Sequence, residues 1–333
     1  MDDIISMSYG NGGKKTSKLI EELILPQFDN QELSLLGDGA LLEVDGKIAF
    51  STDSFVIYPY FFPGGDIGKL SVCGTVNDLL MCGSIPRYLS LALILEEGLE
   101  LVELDKIIKS IGETAKLAGV KVVTGDTKVV DKGHGHGIYI NTAGIGERIE
   151  GMNLSVDRIR KGDKVIVSGS VGNHGIAILC ARENLLQGSL KSDCTPLNQV
   201  VNKITQFGDK IKIMRDPTRG GVATTLNEFT EKMDFSIELI EEWIPIDPGV
   251  KTACELLGLD PLYSANEGKV ITIVSSDIAE NLIIELRKVE ASKDAAIIGE
   301  VVDYVRSKVI LKGGLGGKRI LNKLTHDALP RIC

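Results

Sequence analysis

The sequence predicts an α/β protein of two domains, and three observations carry that prediction. The chain has 333 residues, 43% hydrophobic and 25% charged, enough to bury two full cores. Short apolar runs of strand length alternate with segments of helical period along its whole length. The periodicity fades over residues 150–162 and restarts at Asp163, which places a boundary near residue 155.

After a glycine-rich start, Gly10-Asn11-Gly12-Gly13, the segment from Lys14 to Phe28 carries Leu19, Ile20, Leu23 and Ile24 at helical spacing and stops at Pro26. Leu41-Leu42-Glu43-Val44 and Lys47 to Thr52 flank Asp45-Gly46, which predicts a two-residue hairpin. A helix follows from about Ile67 to Cys82, then a buried strand over Tyr88 to Leu95. An amphipathic helix runs from Leu101 to Ala118 and is stopped by Gly119. Strands over Lys121 to Thr124 and Gly137 to Ala143 complete the first half. In the second half the readable strands are Val165 to Val167, Ile211 to Met214, Lys269 to Val274 and Ala296 to Val302. Its helices are Gly175 to Glu183, Gly221 to Lys232 and Ala279 to Val289.

Composition excludes several classes. A net charge of −9 argues against a nonspecific nucleic-acid binder, which needs surplus Lys and Arg. No apolar run reaches membrane-spanning length and Met1-Asp2-Asp3 is acidic where a secretory signal would be basic, so no membrane partner and a cytoplasmic location are expected. The six cysteines form no C-x-x-C pair and are too sparse for a disulfide framework. Cys73, Cys82, Cys180, Cys194 and Cys254 are expected in the core. Cys333 stands apart, behind Gly313, Gly314, Gly316 and Gly317, which predict a freely swinging tail over residues 313–333. Pro330 holds its own φ and biases Leu329 toward extended backbone, and the sixteen residues after Gly317 span about 50 Å at full extension. Such a tail carries a thiol into a narrow cleft.

Asp38, Asp53, Asp78 and Asp126 are expected in turns or at strand ends, an oxygen-rich set suited to Mg²⁺ and nucleotide phosphates. Asn77 and Thr127 flank two of them. Gly12 and Gly13 offer backbone N–H groups to phosphate, although the G-x-x-x-x-G-K-[ST] pattern is absent. Asp216-Pro217-Thr218-Arg219-Gly220-Gly221 predicts a strand-to-helix loop able to hold an anion. Glu267, ahead of an apolar strand, is a candidate general base. His134 and His136, set among glycines with no other His or Cys nearby, make a poor metal site.

Ser51-Thr52-Asp53-Ser54, Phe61-Phe62-Pro63-Gly64-Gly65, Gly125-Asp126-Thr127-Lys128-Val129-Val130, Thr218-Arg219-Gly220-Gly221, Ala265-Asn266-Glu267-Gly268-Lys269 and Pro330-Arg331-Ile332-Cys333 together resemble one superfamily. It contains aminoimidazole ribonucleotide synthetase, thiamine-monophosphate kinase and selenophosphate synthetase. The nearest resemblance within it is to the HypE family of NiFe-hydrogenase maturation factors. Tyr9 stands where that family carries His. The resemblance implies two α/β domains of the aminoimidazole ribonucleotide synthetase-like type, the N-terminal one closing a barrel across a homodimer. Residues 1–155 would form the ATP- and Mg-binding and dimerisation domain, 156–312 a second α/β domain, and 313–333 the tail. It also implies an ATP-dependent dehydratase that converts an S-carboxamide on Cys333 to a thiocyanate. The carboxamide would come from the carbamoyltransferase HypF and the cyano group would pass to iron held by HypC and HypD. Asp38, Asp53, Asp78 and Asp126 would hold Mg-ATP, with Asn77, Thr127, Gly12 and Gly13 beside the nucleotide. Lys128 and Glu267 would line the carboxamide site. Within the superfamily, a selenophosphate synthetase should carry Cys or selenocysteine in its glycine-rich loop, yet no cysteine precedes Cys73. A thiamine-monophosphate kinase leaves Cys333 without a role, and a carrier without catalytic activity would not hydrolyse ATP.

Overall fold

The computed structural model describes residues 2–11, 13–28, 30–34, 39–185, 190–304 and 306–324. The N-terminal helical segment is continuous but changes pitch. It starts as α1 (Lys14–Leu19), widens to a π turn over Ile20–Ile24 and tightens to a 3₁₀ turn over Leu25–Gln27, so Pro26 sits inside the last turn. A short α2 (Gln31–Ser34) follows.

The first domain is built on β1 (Ile48–Phe55), β4 (Ser84–Glu96), β5 (Lys121–Val130) and β6 (Ile138–Arg148), in the order β1-β6-β4-β5. A separate small ribbon pairs β2 (Phe61–Phe62) with β3 (Gly65–Asp66). The hairpin expected around Asp45-Gly46 is absent. Gly46 does turn, at φ +70°, but residues 41–45 form no strand and β1 pairs antiparallel with β6 from Ile48↔Glu147 to Phe55↔Ile140. Long-range pairing on a buried sheet outweighs the local turn signal.

One face of this sheet is covered by α3 (Ile67–Met81) and α4 (Leu101–Ala118). Asp66 caps α3, its carboxylate accepting from the N–H groups of Gly68 and Lys69 at 2.7 and 3.0 Å. In α4, Leu104, Ile107, Ile108, Ile111 and Ala115 recur every three or four residues, and all are buried. Gly119, at φ +68°, closes α4 as its sequence predicts. The opposite face of the sheet is open. It carries Ile48, Phe50, Ile85 and Ile94, with Phe50 65% exposed.

The second domain is a seven-stranded sheet in the order β13-β12-β9-β11-β7-β10-β8. In chain order its elements are β7 (Lys164–Val167), α5 (Asn173–Arg182), α6 (Asn198–Thr205), β8 (Ile211–Arg215), α7 (Gly221–Thr230) and β9 (Ser236–Ile240), followed by α8 (Pro248–Leu257), β10 (Ile271–Val274), α9 (Ala279–Leu286), β11 (Ala296–Val302), β12 (Val309–Lys312) and β13 (Lys318–Leu321). Both faces are covered. Ile166 joins a core with α6, α9 and the first domain, while Val165 and Val167 face α7 on the other side. All of β7 except Lys164 is therefore buried, the pattern of a strand enclosed by two layers.

The glycine run is not a free linker. Gly313 N–H donates to Gly317 O at 2.9 Å and Gly316 N–H to Gly313 O at 2.8 Å, making it the turn between β12 and β13. Chain that leaves the sheet does so after Leu321, which is fully buried. Residues 325–333, Cys333 included, lie outside the described residues. Cys73, Cys180, Cys194 and Cys254 are buried as expected, but Cys82, at the C-cap of α3, is exposed. Among the described residues no helix is long and apolar enough to cross a membrane.

Candidate functional site

The site forms where α3 and β1 of the first domain meet the strand ends of the second. Asp53 belongs to the face of β1 that lies on α3, and its Oδ2 is 3.7 Å from where a Cβ on Gly74 would stand. Gly74 is needed here because the Phe55 ring lies 2.7 Å from that same position. One turn further along α3, Asp78 Oδ2 accepts from Ser51 Oγ at 2.7 Å. Asp53 and Asp78 are thus in β1 and α3 rather than in turns, and the packing of strand on helix brings them together.

Asp216 joins them from the end of β8. It is buried, and desolvation first, then the nearby charge of Asp78, pushes its carboxyl up to about 7. Asp78 is raised too, chiefly by burial and further by Asp53, although the Ser51 hydrogen bond opposes the shift. Glu267 completes the set. It is 4% exposed, and its carboxyl is raised well above the usual range by desolvation and then by Cys194, Asp216, Asp193 and Asp53. Carboxyls raised by burial and further by one another's charge are the groups a divalent cation would relieve. Among the described residues, no three His, Cys, Asp or Glu side chains converge closely enough to cage an ion by themselves.

The loops that present these acids are tied to one another. Asn266 donates to Pro217 O at 3.1 Å and accepts from Gly172 N–H at 2.7 Å, locking the Glu267 loop to the Asp216 loop. Gly220 and Gly221 both have positive φ, and a Cβ on Gly221 would meet Ser264 O at 2.5 Å.

Asn77 ties the two domains together. Its Nδ2 donates to Thr195 O at 3.2 Å and Glu267 O at 3.3 Å, and its Oδ1 accepts from Leu197 N–H at 2.9 Å. The amide is 1% exposed and every one of these bonds reaches the second domain.

Asp126 and Lys128 stand elsewhere. They lie on β5, in register with Ala92 and Ile94, on the open face and at the sheet edge opposite β1. Lys128 Nζ is 2.8 Å from Asp126 Oδ2, and that hydrogen-bonded ammonium lowers the Asp126 carboxyl. Thr127 points to the other face, with Leu93, and its N–H is held by Asp126 Oδ1 at 2.9 Å. Lys128 is therefore brought to Asp126 and not to Glu267. Gly13 is the N-cap of α1 with open space around its Cα, while Asp38 and Gly12 lie outside the described residues. Tyr9 is buried and accepts from Asp2 N–H at 3.2 Å, with Lys15 over its ring. The loop holding His134 and His136 is pinned by Glu96, whose carboxylate accepts from Gly133 and Gly137 N–H at 2.6 and 2.7 Å. Asp216 as a partner of Asp53 and Asp78 has a signal in the sequence, its place between an apolar strand and a Gly-Gly helix start, and Ser51 lies in the Ser51-Thr52-Asp53-Ser54 motif; Asp193 has none.

The comparisons with known proteins agree with this architecture. Residues 36–148 match the family of AIR synthase related protein, N-terminal domain, and residues 160–312 match AIR synthase related protein, C-terminal domain. The chain is similar to carbamoyl dehydratase HypE of Escherichia coli strain K12, 44% identical over 336 residues covering 99% of each chain. It is also similar to the crystal structure of a hydrogenase maturation protein HypE in complex with ATP. There the TM-score is 0.94 and the identity 45%, with 98% of this chain and 99% of that one covered. A chain in the crystal structure of a HypE–HypF complex matches with a TM-score of 0.80 and 48% identity, covering 91% of this chain and 99% of that one.

Proposed function

The chain belongs to the HypE family of carbamoyl dehydratases, built from the two AIR synthase related domains, and we propose that it uses ATP to dehydrate an S-carboxamide on its own Cys333 to a thiocyanate. The observation that carries this reading is the gathering of Asp53, Asp78, Asp216 and Glu267 at the domain junction, with Asp78, Asp216 and Glu267 all holding protons more tightly than free carboxyls. Dehydration breaks the C–O bond of the amide and removes both N–H protons. The oxygen leaves with the phosphoryl group of ATP, and the products are thiocyanate, ADP and phosphate. Glu267, buried at the junction, would take a proton from the amide nitrogen in its ionised form, which a cation held by Asp53, Asp78 and Asp216 would favour by offsetting the neighbouring charges that raise it. Asp53, Asp78 and Asp216 would hold Mg²⁺, which when bound neutralises phosphate charge. The expected compartment is the cytoplasm, where ATP is available.

A homodimer belongs to this reading. The open sheet face leaves Ile48, Phe50, Ile85 and Ile94 uncovered in a single chain, and β1 and β5 are edge strands. A second copy on that face closes a barrel and supplies Lys128 and Asp126 to a site other than their own chain's. A HypF-type carbamoyltransferase would load Cys333, and HypC–HypD would receive the cyano group.

Intact-mass and peptide analysis tests the reaction. With the carbamoyltransferase, carbamoyl phosphate and ATP, the peptide carrying Cys333 should gain a carboxamide and then lose one water, with phosphate release that depends on the loaded thiol. Modification at Cys82, the exposed cysteine of the described residues, would sink the assignment. Loading without ATP turnover would make the chain a carrier instead.

A further inference from the structure

The peptide that carries Glu267 is held from outside as well as from Asn77, and the outside group is Asp193. Asp193 Oδ1 accepts the Glu267 N–H at 3.1 Å. Its Oδ2 takes no hydrogen bond and faces the Lys269 ammonium at 3.5 Å. Lys269 Nζ turns back to donate to Gly268 O at 3.0 Å. With Asn77 Nδ2 and Thr195 N–H on Glu267 O, at 3.3 and 3.4 Å, both the N–H and the C=O of Glu267 have partners. The approach is close: a Cβ on Gly268 would lie 1.9 Å from Asp193 O, so only glycine fits there.

Both partners are buried, with side-chain exposures of 5% for Asp193 and 10% for Lys269. A buried ion pair pays a desolvation cost that apolar packing would avoid, so its value here lies in geometry. The stretch that bears Asp193 also touches the first domain. Ser192 N–H donates to Pro63 O at 2.8 Å, and Gly64, at φ +96°, would place a Cβ 2.5 Å from Ser192 O. Residues 192–197 thus run from the Phe62-Pro63-Gly64 turn, past Glu267, to Asn77.

We propose that Asp193 is a positioning residue for the dehydration, setting the place of Glu267 through its backbone N–H while Lys269 neutralises the far oxygen. This rests on Glu267 acting in the reaction. A carboxyl that must reach an amide proton tolerates little displacement, and loss of a group that orients a reacting side chain lowers rates by about 10- to 100-fold.

Single-turnover dehydration of carbamoylated, full-length protein with Mg-ATP tests it, with thermal melting and Mg-ATP affinity measured on each variant. Asp193→Ala should lower kcat by about tenfold or more with the KM for ATP unchanged. Asp193→Asn keeps an acceptor for the Glu267 N–H and should recover kcat to within about threefold of the parent. Should Asp193→Ala not fold, Asp193→Leu, which fills the space without an acceptor, makes the same comparison. Undiminished kcat in the variant without an acceptor overturns the inference, as does equal loss in Asp193→Asn. Glu267→Gln separates the two levels. If it is inactive while the Asp193 variants behave as the parent, only the inference fails; if it turns over normally, the role of Glu267 fails and the inference with it.

Discussion

Asn77 Nδ2 reaches the backbone oxygen of Glu267 at 3.3 Å, so a helix of the first domain fixes a carboxyl supplied by the second. The residue beside it, Asp78, interacts with Asp53 and Asp216, the acids whose charge reaches Glu267. Two consecutive side chains of α3 therefore divide the work: one aligns the domains and the other faces the acids.

Replacing Asn77 by Ala should strand the Leu197 N–H and remove a donor from two buried carbonyls. The cost is about 1–3 kcal/mol of stability. A lowered melting temperature with a reduced kcat is expected. An unchanged melt would mean that the clamp contributes nothing.

Asp78→Asn removes a charge while keeping an acceptor for Ser51 Oγ. Mg-ATP affinity should fall on the order of tenfold, about 1.4 kcal/mol. Affinity for ATP without divalent ion should change less or rise, because a repelling carboxylate is gone. Calorimetry with and without Mg²⁺ reads both, and equal loss in the two conditions would contradict a cation-mediated role.

Asp216 sets a pH dependence. Its folded value of about 7 lies above the 3.8 of an ordinary aspartate, so the fold favours the protonated acid. Its contribution to stability is complete below about pH 4 and is lost as pH rises, because the unfolded chain ionises first; the loss ends near pH 7. Asp78 and Glu267, raised in the same direction, add to the slope. Denaturant midpoints should therefore fall between pH 5 and 7 more steeply in the parent than in Asp216→Asn. Parallel curves would remove Asp216 as the cause.

Lys128 and Glu267 offer a complementation test. If one copy supplies Lys128 to a site built around another copy's Glu267, a mixture of Lys128→Ala and Glu267→Gln chains contains sites with both groups intact. Statistical mixing should restore about one quarter of the parent rate. No recovery would place both groups in one chain's site.

Much of the fold is legible in the sequence where periodicity is local. The limits of α4 and β11 are those its apolar spacing and glycine punctuation predict. Where burial is made by distant partners, the pattern misleads. Asp45-Gly46 looks like a hairpin because its neighbours alternate, but β1 finds its partner about ninety residues away in β6. β9, β12 and β13 are four or five residues long, too short to show a period, whereas α6 and α8 do carry apolar residues at helical spacing, Val200, Val201 and Ile204 in one and Val250, Ala253 and Cys254 in the other, that the predicted elements leave out. In the site, Asp53, Asp78 and Glu267 are visible as motifs, yet nothing local tells that Asp126 and Lys128 lie on the other face. Asp193 has no motif of its own; its importance arises from a backbone N–H 74 residues along the chain.

The β12–β13 turn has one more consequence. Because Leu321 is anchored in the sheet, twelve residues separate that anchor from Cys333, and at about 3.6 Å per residue the thiol stays within roughly 43 Å of it. One thiol confined to a sphere of that radius has an effective concentration of millimolar order. For such a reaction, diffusional encounter ceases to limit the chemistry, and dilution of the protein leaves the rate unchanged as long as the dimer holds. The product is tethered as firmly as the reactant, so each chain dehydrates once per loading and the rate of repeated use is set by whichever partner empties the thiol.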